Sequence, residues 1–141
     1  MKLFTVGPVE MSEEILRQGG EPLPYFRTAE FSQIMFEIQE RFLKLADSEE
    51  GSKLILLTAS GTGAMEAAAV NILTPEDKCL IIDGGGFGHR FTEICSLHGI
   101  PFESIKLSFG ETLTEEHLTP YEGRGITALL VNIDETSTAQ L

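Results

Sequence analysis

The chain has 141 residues, 42% of them hydrophobic and 23% charged, the make-up of one globular domain able to bury roughly two-thirds of its unfolded surface and not of a disordered chain. Ten basic against twenty-two acidic residues give a net charge of −12, which repels a phosphate backbone and argues against a nucleic-acid partner. No apolar run reaches the length of about 18 residues that a membrane span needs, and "MKLFTVGPVEMSEE" lacks the apolar stretch and cleavage site of a secretory leader, so no membrane and a cytoplasmic setting are expected.

In "GPVEMSEEILRQGG", Ser12 stands before two glutamates and two glycines close the stretch, which predicts a short capped helix. "EPLPYFR" is an extended, proline-held connection. From Ala29, the residues Phe31, Ile34, Met35, Ile38, Phe42 and Leu45 recur at three and four, the stripe of an amphipathic helix ending near Asp47. Strands and helices then alternate: "KLILLTA" strand, "GAMEAAAVNIL" helix, "KCLIIDG" strand, "FTEICSLHG" helix ended by Gly99, "FESIKL" strand, "ITALLVNI" strand. That rhythm predicts an α/β fold with a mostly parallel sheet between layers of helices. The polar stretch between the last two strands carries a short helix starting after Thr114. The chain then stops at "NIDETSTAQL", where a loop at a strand's carboxyl end should lead into another helix, and it reads as cut.

Cys79 and Cys95 sit in apolar contexts, and two cysteines are too few for a disulfide framework; buried reduced thiols are expected. His98 follows Cys95 by one helical turn, but no further Cys or His completes a tetrahedral metal set. No metal site is expected.

Three strand ends carry groups suited to a ligand. In "TASGTGAME", small residues let backbone N–H groups approach an anion, Ser60 and Thr62 add hydroxyls, and a helix points its positive end at the ligand. The stretch is neither a Walker loop nor a dinucleotide fingerprint, and a plain capped strand-to-helix turn explains it equally well. In "DGGGFGHR", Phe87 stands among glycines as a ring able to stack on an aromatic cofactor, or as a core anchor in a turn. Arg90 could hold an anion or pair with Glu93 or Asp83. In "NIDETSTAQL", Glu135, Thr136, Ser137 and Thr138 could hydrogen-bond a ligand or satisfy their own turn. In a doubly wound sheet these strand ends face one crevice.

With those residues in view, the chain resembles the class V aminotransferases, fold-type I pyridoxal-phosphate enzymes. "TVGPVEMSEEIL" resembles the family's opening, "PYFRTAEFSQIM" the segment that follows it, "SGTGAMEAA" the phosphate loop, "GGFGHR" the stacking segment and "ETSTA" the motif after the fourth strand. The resemblance implies that Ser60, Gly61 and Thr62 hold the phosphate of pyridoxal 5'-phosphate. Phe87 would stack on its ring, Ser137 or Thr138 would contact it near the ring oxygen, and Gly7 and Pro8 would lie near the substrate entrance. It implies residues 1–50 as an N-terminal segment with a long helix, and 51–141 as the first part of the large cofactor-binding domain, cut after about four strands.

The implied activity is amino transfer from a small-molecule donor to a 2-keto acid, as in alanine–glyoxylate, serine–pyruvate and 2-aminoethylphosphonate transaminases. A cysteine desulfurase-like enzyme on the same scaffold and a noncatalytic phosphate- or nucleotide-binding module are the alternatives. The family's Schiff-base lysine, its aspartate for the pyridine nitrogen and its substrate arginine all fall beyond Leu141, so no catalytic residue is expected here and the chain alone should not transaminate. Of the lysines, only Lys106 ends a strand at its carboxyl side, and it reads as a surface lysine. Gly84, Ile133 and Ala139 depart from the family's usual Asn, His and Gly. Because the family's first strand neighbours its last, "KLILLTA" should lack its neighbours and seek another chain, giving a homodimer or swapped assembly.

Overall fold

The structure, a computed structural model, describes Gly7 and residues 9–138. The chain forms two compact units, residues 1–56 and 57–141. In the first unit, α1 (Glu13–Gly19) starts where the Ser12 hydroxyl accepts from the Ile15 N–H at 3.4 Å. Helix α2 (Ala29–Leu45) starts where Thr28 accepts from the Phe31 N–H at 3.2 Å. Both starts follow from a hydroxyl side chain satisfying a first-turn donor. The predicted α2 stripe is present, yet Ile34, Ile38, Phe42 and Leu45 are all exposed, and no described residue of this unit is buried.

The second unit holds α3 (Gly61–Ile72), β1 (Cys79–Asp83), α4 (Gly86–His98), β2 (Phe102–Lys106), α5 (Glu115–Leu118) and β3 (Ala128–Leu130), with one turn of 3-10 helix at Thr119–Tyr121. The three strands form one sheet in the order β2-β1-β3, and both pairings are parallel. Cys79 lies beside Phe102 and Ala128, and Asp83 beside Lys106. This is the expected α/β fold with a small parallel sheet flanked by helices.

Every residue of the central strand is buried, which explains its unbroken apolar run, since side chains alternate between two covered faces. Cys79 and Ile81 pack with Ala69, Leu73, Ile94, Cys95 and Ile100 under α3 and α4. Leu80 and Ile82 pack with Ile105 on the other face, against Leu107, Leu113, Leu118, Tyr121 and Ile126. Both cysteines are free and buried, and burial beside Cys79 pushes the Cys95 thiol up to about 11, which keeps it protonated and unreactive at neutral pH. His98 turns away from Cys95 to the Glu66 carboxylate, 2.7 Å off. Gly99 closes α4 in the left-handed conformation, φ 65°, where its lack of a Cβ removes the steric cost.

Three expectations need correction. "KLILLTA" forms no strand: residues 52–57 belong to neither helix nor sheet, and Ile55, Leu56 and Leu57 are exposed. A strand exists only with a ladder partner, and both edges of β1 are already taken by β2 and β3. The sheet therefore has three strands among the described residues, not about four, and β3 is shorter than the "ITALLVNI" run. Helix α4 begins five residues before the predicted "FTEICSLHG" start, so Phe87 sits in a helical first turn and not in a loop. Among the described residues no helix is long and apolar enough to cross a membrane.

Candidate functional site

The chain leaves β1 through α4 to reach β2, then returns across the opposite face to β3 on the other side of β1. A reversal of this kind opens a crevice beyond the carboxyl ends of the two strands that flank it. Here those ends are Gly84–Gly86 after β1 and residues 131–138 after β3.

The residue before α4 is Gly85, which has no side chain to cap the helix. Its orphan first-turn N–H groups are instead satisfied from the far side of the crevice. The Glu135 carboxylate, only 5% exposed, accepts from the Phe87 N–H at 3.1 Å to each oxygen and from the Gly88 N–H at 2.8 Å. Ser137 Oγ accepts from the Gly86 N–H at 2.8 Å and donates to Glu135 Oε1 at 2.7 Å. Burial pushes the Glu135 carboxyl up. The hydrogen bonds from the Gly88 N–H, the Ser137 hydroxyl, the Phe87 N–H and the Ser137 N–H outweigh it and hold the group below its ordinary value. The helix end adds roughly half a positive charge to the same effect.

Glycines make this approach possible. A Cβ on Gly85 would lie 2.4 Å from Ser137 Oγ and 2.6 Å from Glu135 Cγ, and one on Gly88 would lie 2.4 Å from the Ile82 carbonyl oxygen. Part of the glycine run thus makes room for the Glu135 loop and for β1 itself. The Phe87 ring belongs to neither core cluster and stays 39% exposed, so it is not a core anchor.

No protein-family model matches the chain. An uncharacterized aminotransferase of Helicobacter pylori is 39% identical over 100 residues, which are 71% of this chain and 26% of that protein. The L-aspartate–glyoxylate aminotransferase of Paracoccus denitrificans is 29% identical over 140 residues, 96% of this chain and 35% of that protein. The crystal structure of ureidoglycine–glyoxylate aminotransferase from Bacillus subtilis matches with a TM-score of 0.84 at 26% identity, over 95% of this chain and 35% of that one. The chain belongs to a class V, fold-type I family of pyridoxal-phosphate-dependent aminotransferase-like proteins. It spans between about a quarter and about a third of the length of these relatives.

As a member of that family the chain can be tested for its fit to pyridoxal phosphate. Ser60 is the N-cap of α3, its Oγ accepting from the Gly63 N–H at 3.2 Å. Helix geometry leaves the Gly61 and Thr62 N–H groups without intrahelical acceptors. Ser60 and Gly61 are exposed and Thr62 is half-buried, so an anion can reach this helix end, and the donor set suits a phosphate. At α4 the same kind of donors already face the Glu135 carboxylate. An exposed ring at one helix start and an open donor set at another fit an aromatic phosphate ester.

Among the described residues no hydrogen bond links the Ser60–Thr62 turn to Phe87 or Ser137, whereas Phe87 and Ser137 meet through Glu135. Thr138 turns its hydroxyl to the Glu135 carbonyl at 3.3 Å. Gly7 is exposed; Pro8 and Ala139 lie outside the described residues. Arg90 pairs with Glu93, and Asp83 takes His89, Oδ2 to Nδ1 at 3.1 Å. Lys106 is exposed and shares an open cleft with His89, Phe109 and Thr138.

Sequence reasoning assigned Glu135 no separate role. The signal that would have found it is an absence: a helix start at Gly85 without any Ser, Thr, Asp or Asn to cap it demands a donor partner from elsewhere. On the other side of Glu135, a cavity of about 270 Å³ is lined by Ile82, Leu107, Leu113, Val131 and Asn132. The Asn132 Nδ2 is buried there without a hydrogen-bond partner among the described residues.

Proposed function

We propose that these 141 residues are the N-terminal portion of a pyridoxal-phosphate-dependent enzyme that moves an amino group from a small-molecule donor to a 2-keto acid, with transaminases that use glyoxylate or pyruvate as guides. The single observation behind this reading is the exposed Phe87 ring, pinned by its backbone beside a glycine-lined crevice in a chain of aminotransferase relatives. When bound, the cofactor supplies an electron sink that stabilises negative charge at the substrate carbon.

The chain's own residues bind and orient. The Gly61 and Thr62 N–H groups and the Ser60 and Thr62 hydroxyls would hold the phosphate, and Phe87 would offer a flat face to the ring. Ser137 already spends its one hydroxyl proton on Glu135, so toward the ring it can only accept, and the Thr138 hydroxyl donates to the Glu135 carbonyl. At the α4 end Glu135 does not act as a general base, since it is buried and fully hydrogen-bonded. With the Schiff-base lysine expected beyond Leu141, these residues would supply the cofactor cup and not the proton transfers.

Titration of the chain with pyridoxal phosphate, followed by the cofactor's absorbance, tests this. Saturable binding is expected, about tenfold weaker in Thr62→Val and with an altered spectrum in Phe87→Leu, and without a stoichiometric borohydride-trapped lysine adduct. Binding indifferent to both substitutions would overturn the assignment of the cup. A single specific adduct at Lys106 would overturn the division of labour.

A further inference from the structure

Of the two long helices of this unit, α3 has an accessible start capped by its own Ser60, whereas the start of α4 faces the Glu135 carboxylate. We propose that Glu135 is a resident anion that closes the N-terminus of α4 to phosphates and carboxylates, fixing Phe87 in place. That the excluded phosphate belongs to pyridoxal phosphate, and goes to α3 instead, rests on the function proposed above.

Three observations carry the closure. The Glu135 carboxylate is buried and no Lys or Arg pairs with it among the described residues, so its charge is held by the α4 start and the Ser137 hydroxyl. Each first-turn donor that a phosphate would need, the N–H groups of Gly86, Phe87 and Gly88, already has its acceptor at 2.8 to 3.1 Å. The space in which an anion would sit is filled as well, since even a Cβ on Gly85 would collide with Ser137 and Glu135. Helix N-termini attract anions without discrimination, and a glycine-rich loop ahead of one is a common phosphate cradle. Without a resident carboxylate, "DGGGFG" would compete with "ASGTG" for the same group. With it, an anion meets occupied donors and a like charge, while the Phe87 backbone is held by both carboxylate oxygens. Glu135 is thus a positioning residue, acting through Phe87 and through exclusion.

The test uses the ¹⁵N-labelled chain titrated with inorganic phosphate at pH 7.5. In the wild type, the amide signals of Gly61, Thr62 and Gly63 are expected to shift saturably and those of Gly86, Phe87 and Gly88 to stay still. In Glu135→Ala the second set should become saturably responsive. Glu135→Gln, whose neutral amide is a weaker acceptor that a phosphate dianion can displace, should respond as well with an affinity at least tenfold lower than the alanine variant, and its near-isosteric side chain keeps the fold. A purely structural cap would lose stability in these variants without gaining any response to phosphate. Wild-type shifts at Gly86–Gly88, or silence there in both variants, would overturn the proposal. Silence at Gly61–Gly63 with the variants still responding would overturn the α3 phosphate cup while leaving the closure of α4 standing.

Discussion

The starts of α3 and α4 solve the same problem in opposite ways. At α3, Ser60 caps a donor three residues away with its own hydroxyl and leaves the helix end accessible. At α4, the residue in the capping position is a glycine, and the cap arrives from Glu135, 47 residues further along the chain from Gly88. A local cap leaves its helix end free for a ligand; a remote, charged cap seals the end and ties two strand termini together. The difference shows that a helix start is a binding site only when its donors are still unclaimed.

The comparison can be broken most severely at Gly88. Its alanine variant would place a Cβ 2.4 Å from the Ile82 carbonyl oxygen, part of the backbone of the central strand, and neither side can yield cheaply. We expect a loss of about 3 kcal/mol in urea unfolding, with α4 displaced from β1. Removing the remote cap should cost less. Glu135→Ala leaves the Phe87 and Gly88 N–H groups without their charged acceptor and is expected to lose about 2 kcal/mol.

Acid sharpens the same contrast. The folded-state Glu135 carboxyl lies below its ordinary value of 4.5. Its stabilisation is therefore complete above the unfolded carboxyl's range and fades as pH falls through the lower folded value. The difference in urea midpoint between wild type and Glu135→Gln should be constant from about pH 6 to 8 and shrink below about pH 4.5. Asp77, Glu103 and Glu111, whose carboxyls are also held low, titrate in both proteins and cancel in the difference. The smallest effect belongs to the local cap: Ser60→Ala should lose about 1 kcal/mol, read as faster amide exchange at Gly63.

What could be read from the sequence divides along the same line. Ser12, Ser60, Gly99 and Thr114 each act on a neighbour within one helical turn, so residue type alone announced those helix boundaries. The buried run Cys79–Asp83 was legible because a strand covered on both faces must be apolar throughout. The Glu135 cap was not, because its partners are joined only by the folding of the sheet. The fate of "KLILLTA" was legible in part: the resemblance left it without its neighbours, and without a ladder partner its apolar residues form no strand at all. Phe87 was recognised as the candidate ring, whereas its placement in a helical turn was hidden by a start signal made only of glycines.

The remote cap also sets an order of events during synthesis. Residues 79–98 leave the ribosome well before Glu135 and Ser137, so α4 emerges with its first-turn donors bare, and β1 emerges without Phe102 or Ala128 beside it. At an elongation rate of about 5–20 residues per second, the 47 residues between Gly88 and Glu135 represent an interval of seconds. During that interval the buried strand is a sticky, unfinished surface, and the nascent chain is at its most dependent on a holding chaperone.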